Sequence, residues 1–152
     1  MNKFSRVLLA GLAILSAHAA NAAEHGTADQ AKTLLDKAVA KVKVDGPEKA
    51  FAAFNDRKAG FVVNDLYVFS FDLKGKYMAS GANPALVGYD AIDMTDAEGK
   101  PLVQEMVARA KSAGRGEVDY VWLNRADNHV EKKHSLIERV GDYIVGVGYY
   151  VN

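Results

Sequence analysis

The sequence predicts an α+β domain: a five-stranded antiparallel sheet, a long N-terminal helix and a shorter helix inserted in mid-chain. Three observations lead there. Apolar residues between Ala31 and Val42 recur at the spacing of one helical face. Aromatic and β-branched residues crowd together from Leu66 onward, the composition of a strand. Three further strand-like runs, separated by short polar turns, fill the chain from Gly116 to Val151.

In chain order, the first element is a leader. Lys3 and Arg6 give a positive start, Val7 to Ala17 is uncharged and apolar, and Ala20-Asn21-Ala22 places small residues where a signal peptidase reads them. This is the layout of a secretory signal peptide over residues 1–22, with cleavage expected after Ala22. The apolar run is shorter than the ~20 residues of a spanning helix, and His18 follows it. The expected location is the periplasm or the exterior, with one domain over 23–152.

Thr27-Ala28-Asp29-Gln30 has the form of a capping box. The helix it starts carries Ala31, Leu34, Leu35, Ala38, Val39 and Val42 on one stripe, with Lys32, Asp36, Lys37, Lys41 and Lys43 outside. Asp45-Gly46-Pro47 stops it and opens a short second helix to Phe54. Leu66 to Phe71 and Tyr77 to Ser80, joined by Leu73-Lys74-Gly75-Lys76, read as a hairpin. Ala82 to Gly99 is a long loop. Pro101 opens a helix with Leu102, Val103, Met106, Val107 and Ala110 on one face, ending at Gly114. Strands over 116–123, 130–140 and 143–151 close the chain as a meander.

Composition removes several classes of function. Lysine plus arginine and aspartate plus glutamate each number 19, and without Lys3 and Arg6 the balance becomes 17 against 19. So neutral a domain carries no footprint for nucleic acid or anionic lipid. There is no cysteine, which excludes disulfides, thiol catalysis, cysteine-based zinc and thioether haem. No nucleophile, base and oxyanion donor fall into an active-site spacing, so no enzyme and no cofactor is expected. Adjacent strand residues point apart, so His134 and Ser135 do not make a triad. Nor is a metal site expected. His129 and His134 fall on opposite strand faces, His25 lies in a fraying terminus, and Asp90, Asp93, Asp96 and Glu98 lack the spacing of a calcium loop.

Several stretches, in order, resemble the single Cache family in its type 2 form. They are Gly46 to Asp56; Leu66-Tyr67-Val68-Phe69 with the Asp72 to Lys76 turn; Asn83 to Gly88; Asp119-Tyr120-Val121-Trp122; and Glu138 to Gly148. The resemblance implies a PAS-like sheet over a long helix and an extracytoplasmic pocket for small organic molecules, often short carboxylates. It also implies a membrane receptor or kinase as the partner that reads the pocket. Two departures are visible: no output region follows the last strand, and Ser80 stands where many relatives carry a histidine.

Tyr120 and Trp122 are two apart on a strand and share a face with Val118 and Asn124. From spacing alone such rings are more often core beneath a helix; the resemblance favours a pocket wall. On the next strand Lys133, Ser135 and Ile137 alternate onto one face. Lys133 matches a position that is usually lysine in the family, and an ammonium facing a partly dry pocket would attract a carboxylate. A solvated cross-strand charge is its plain alternative. Arg57, Tyr67 and Ser135 are weaker candidates for the same rim. The expected function is binding of a small organic ligand, with the 82–99 loop ordered on binding. The alternative is an interaction or homodimerisation module that pairs through the N-terminal helix and takes no ligand.

Overall fold

The structure is a computed structural model and describes residues 25–151; the expected leader lies outside the described residues. Helix α1 spans Ala28–Asp45. Its start is the expected reciprocal cap: the Gln30 backbone N–H donates to Thr27 Oγ1 at 3.2 Å, and the Thr27 N–H donates to Gln30 Oε1 at 2.8 Å. Gly46, at φ 83°, ends the helix with its N–H on the Val42 carbonyl, and Pro47 follows as the first residue of α2 (Pro47–Asn55). The predicted apolar stripe of α1 is the buried one, from Ala31 to Val42.

Strands β1 (Val62–Val63), β2 (Leu66–Asp72) and β3 (Tyr77–Ser80) precede α3 (Leu102–Ala113). The meander β4 (Arg115–Asn124), β5 (His129–Val140) and β6 (Tyr143–Val151) closes the chain. The sheet has six strands in the order β1-β2-β6-β5-β4, with β3 also on β2. The strand missing from the sequence reading is β1, whose two residues are too few to show a period. All pairings are antiparallel, and β6 lies between β5 and β2, so the last strand completes the sheet at its centre.

Strand alternation sorts the sheet into two faces. Leu66, Val68, Val145 and Val147 meet Leu34, Leu35, Ala38, Val39, Val42, Phe51 and Phe54 of α1 and α2. The opposite face carries Phe69, Phe71, Val118, Tyr120, Ile137 and Ile144 against Leu102, Val103, Met106 and Val107 of α3. A register shift in β3 pairs Phe71 with Tyr77 and Phe69 with Ser80. Residues three apart thereby reach one face, which re-aims Ser80 toward the α3 side.

The 82–99 loop is tied to its neighbours by backbone hydrogen bonds. Pro84–Leu86 forms a short 3₁₀ turn, Tyr77 exchanges backbone bonds with Gly88 and Tyr89, and Ala91 N–H reaches the Gly75 carbonyl. Asp96 is buried: one carboxylate oxygen accepts from the N–H groups of Glu98 and Lys100, the other from Val121 on β4. Those backbone donors hold its carboxyl below the usual range against the opposing effect of burial. Asp90, Asp93 and Glu98 face solvent, while backbone bonds and Asp96 tie the loop to the hairpin and to β4.

Candidate ligand-binding site

On the α3 side the sheet register places Tyr120, Lys133 and Tyr150 in one row across β4, β5 and β6, and Val118, Ser135 and Gly148 in the next. The closing strand supplies glycine where bulk would collide. A Cβ on Gly148 would stand 2.4 Å from both Lys133 Cε and Ser135 Oγ, and one on Gly146 would stand 2.3 Å from the Phe69 ring. Alternating glycines therefore make the trough in which the Lys133 stem and the Phe69 ring lie.

Above that floor is a small cavity with about 40 Å³ of free space. Tyr67, Phe69, Phe71, Tyr77, Tyr120 and Trp122 form its aromatic wall. Tyr120 and Trp122 meet edge to face, with centroids 5.9 Å apart. Ser80, Asn83 and Arg125 bring the polar groups. Asn83 is fixed by its N–H on Ser80 Oγ at 3.3 Å, and Ser80 N–H donates to Asn55 Oδ1 at 2.8 Å, which docks the end of α2 against this rim. One water needs ~10–15 Å³ of such space, so the cavity holds roughly three waters or a molecule of a few heavy atoms.

Lys133 lies one layer behind the wall. It is 1% exposed, and its Nζ sits 4.1 Å from the centroid of the Tyr67 ring and 4.4 Å from that of Tyr150. It donates to Tyr150 Oη at 3.3 Å, and Tyr150 Oη in turn donates to the Leu123 carbonyl at 2.9 Å. No carboxylate among the described residues pairs with it. Burial pulls its pKa down to about 7, opposed by the more distant Asp65 carboxylate. Burial pushes the Tyr67 hydroxyl up to about 12, and raises Tyr120 and Tyr150 as well, so the surrounding phenols stay neutral. The Tyr120 and Ser135 hydroxyls satisfy each other at 2.8 Å.

Of the residues singled out in the sequence, Tyr67, Tyr120 and Trp122 line the cavity directly. Lys133 is buried rather than solvated, but it is screened from the cavity by the ring of Tyr67, and Ser135 lies beneath Tyr120. Arg57 is elsewhere. It lines an adjoining depression of about 160 Å³ with Asp65, Asn124 and Tyr150, and donates to the Ala82 carbonyl at 3.2 Å. Tyr67 and Arg125 border both spaces. Sequence reasoning missed Arg125 and Tyr77, and noted Ser80 only as a departure from the family pattern. Arg125 sits in the turn after the Tyr120–Trp122 stretch, where a lone cation beyond an aromatic wall was the available signal. Ser80 and Tyr77 depend on a register shift that leaves no mark in residue pattern. No helix among the described residues is long and apolar enough to cross a membrane.

Comparison with known proteins places this arrangement. Two curated relatives match parts of the chain: the sensor histidine kinase MctS of Rhizobium johnstonii, 28% identical over 90 residues, and the methyl-accepting chemotaxis protein McpP of Pseudomonas putida, 32% identical over 91 residues. Those stretches are 58% and 59% of this chain but only 19% and 17% of the relatives' own lengths. Among solved structures, a methyl-accepting chemotaxis protein from Vibrio parahaemolyticus superposes with a TM-score of 0.68 at 21% identity, covering 82% of this chain and 88% of that one, a likeness of fold. A periplasmic sensor domain of a chemotaxis protein gives a TM-score of 0.64 at 27% identity, covering 82% and 90%. A Cache chemosensory domain described for carboxylic acid recognition gives 0.63 at 25% identity, covering 82% and 88%. The α+β architecture of these neighbours is the one described above. Residues 2–152 match Single Cache domain 2, a family of sensory modules found in chemoreceptors and sensor kinases, and the chain belongs to that family.

Proposed function

We propose that this domain binds a small carboxylate of about two to four carbons outside the cytoplasm, and that a membrane receptor or kinase reads the bound state. The observation that carries the reading is Lys133: a buried ammonium with no anionic partner among the described residues, directly behind a ring-lined cavity of about 40 Å³. A buried cation is costly until an anion and hydrogen bonds compensate it. In this reading the carboxylate enters beside Tyr120 and Trp122, Arg125 attracts it at the mouth, and rotation of Tyr67 opens the path to Lys133. The small volume sets the size limit, far below the ~300–1,000 Å³ of drug-sized pockets. The relative described for carboxylic acid recognition supports the ligand class by analogy. Calorimetric titration with acetate, propionate and pyruvate, alongside acetamide and citrate, tests it. The C2–C3 acids should bind, the neutral amide and the bulky tricarboxylate should not, and failure of every small acid overturns it.

Export completes the proposal: the leader of residues 1–22 is cut after Ala22 and the remainder works in the periplasm. Mass spectrometry of the protein from the cell envelope should find Ala23 as the first residue. A full-length mass in the cytosolic fraction would contradict that placement.

A further inference from the structure

A second cluster lies beside the depression lined by Asp65 and Asn124, and neither the carboxylate reading nor the sequence pattern uses it. A ring nitrogen of His25 and one carboxylate oxygen each of Asp127 and Glu131 all stand within 4.8 Å of one another. We propose that these three side chains bind one divalent first-row transition ion, of which Zn²⁺ is the representative. Ligand atoms around such an ion at ~2.0–2.2 Å are at most about 4.4 Å apart, so small rotamer changes complete the site.

The supporting groups have the arrangement of an outer coordination sphere. His25, placed by the sequence in a fraying terminus, is instead tied down. Its Nδ1 lies 2.9 Å from Asp65 Oδ2, and the Asp65 side chain is only 1% exposed. That bond occupies Nδ1, so an ion bound through Nε2 would complete a carboxylate–imidazole–metal pattern. Asp65 is in turn held by the Gly26 N–H at 2.7 Å and by Asn124 Nδ2 at 3.4 Å. The same Asn124 amide donates to Glu131 Oε2 at 2.9 Å, and the His129 N–H donates to Asp127 Oδ1 at 3.0 Å. The turn that presents Asp127 is built by Asn124 as well: its Oδ1 accepts from Ala126 N–H, and its carbonyl accepts from Asn128 N–H, with Asn128 at φ 65°.

Charge points the same way. Three carboxylates, Asp65, Asp127 and Glu131, gather around the His25 imidazole; Asp127 also has the exposed His129 ring at 3.6 Å, and no lysine or arginine among the described residues forms an ion pair with any of the three. A divalent ion would neutralise most of that charge. One nitrogen and two oxygen donors without thiolate suit Zn²⁺ or Mn²⁺, and the imidazole disfavours Mg²⁺ and Ca²⁺. The three ligands leave a position for water and would fasten the residues before α1 to the β4–β5 turn, 102 positions away by the residue numbers of His25 and Asp127.

Metal-stripped full-length protein, without a histidine tag, titrated with ZnCl₂ tests the site. The expected result is one ion per chain with micromolar or tighter affinity and a rise in Tm on loading. Asp127→Asn and Glu131→Gln should each weaken binding about tenfold or more, as should Asp65→Asn, which touches no metal. Acetate binding by Glu131→Gln should stay unchanged, which shows that its fold and the first site are intact. The proposal is overturned if wild type takes up no Zn²⁺. It is equally overturned if Asp127→Asn and Glu131→Gln bind as wild type does, because the uptake then belongs to other histidines or to the chain terminus.

Discussion

Toward α1 and α2 the sheet presents Leu66, Val68, Val145 and Val147; toward α3 it presents Tyr67, Phe69, Tyr120, Trp122, Lys133 and Ser135. The first interface is dry and apolar, with Phe51, Phe54 and Phe61 meeting in tilted and edge-on contacts at 4.8–6.1 Å between successive centroids. The second buries Ser80, Asn124, Lys133 and Ser135 and leaves free space among the rings. One sheet thus separates two tasks. The helical face supplies stability through packed apolar area. The other face gives up some of that stability to keep a cation dry and a cavity open.

The largest expected effect lies on the dry face. Phe54→Ala, at a fully buried ring, should cost about 3–5 kcal/mol of unfolding free energy by denaturant titration. The fraction that stays folded should bind carboxylate with unchanged affinity, since Phe54 does not line the cavity. A matching loss of affinity would break the separation of the two faces.

Next comes the pH dependence set by Lys133. Its pKa is about 7 in the folded protein against 10.5 ordinarily. Between those values the unfolded chain holds the extra proton, so stability rises with pH through the window and is lowest below about 7. From pH 7 to 9.5, short of tyrosine ionisation, the gain should be roughly 3 kcal/mol, seen as a climbing Tm. Lys133→Met should flatten that climb and be more stable than wild type at pH 7. A Tm that stays flat over this window in wild type would mean Lys133 is solvated.

The smallest effect sharpens the comparison from the other side. Ser70, fully buried on β2 toward the helices, carries the one buried side-chain polar atom among the described residues without a hydrogen-bond partner. Ser70→Ala should be neutral or stabilising by about 1 kcal/mol, as judged by thermal melts. A loss of more than that would show that the dry face conceals a polar function.

Much of this was legible from local pattern. The Thr27–Gln30 cap, the Gly46-Pro47 break, the α3 face and the closing hairpins rest on contacts within a few residues, and each forms as read. The shared face of Tyr120 and Trp122, and of Lys133 and Ser135, follows from a period of two and was equally visible. Whether those faces were wet, packed or hollow was not, because that depends on what lies opposite. Lys133 is dry because β2 and β6 bring Tyr67 and Tyr150 over it, a pairing set by strands more than 70 positions apart in the numbering of Val68 and Val147. Arg57 shows the converse: expected on the same rim, it lines the neighbouring depression, because the chain after α2 carries it there. Asp65 and His25 escaped because 40 positions separate two residues that lie 2.9 Å apart. Asp96 looked like one acid among four, and only the backbone donors from its own turn and from β4 distinguish it.

The most direct measurement is calorimetric titration of acetate into wild type and Lys133→Met at pH 6.5 and pH 8.5. If Lys133 is the buried counter-charge, wild type binds more weakly at the higher pH, by up to about tenfold for each pH unit above 7, because the carboxylate must recruit a proton to the lysine. The variant, folded and no less stable, should not bind at either pH. Equal affinity in the two proteins, or affinity indifferent to pH in wild type, would contradict the account.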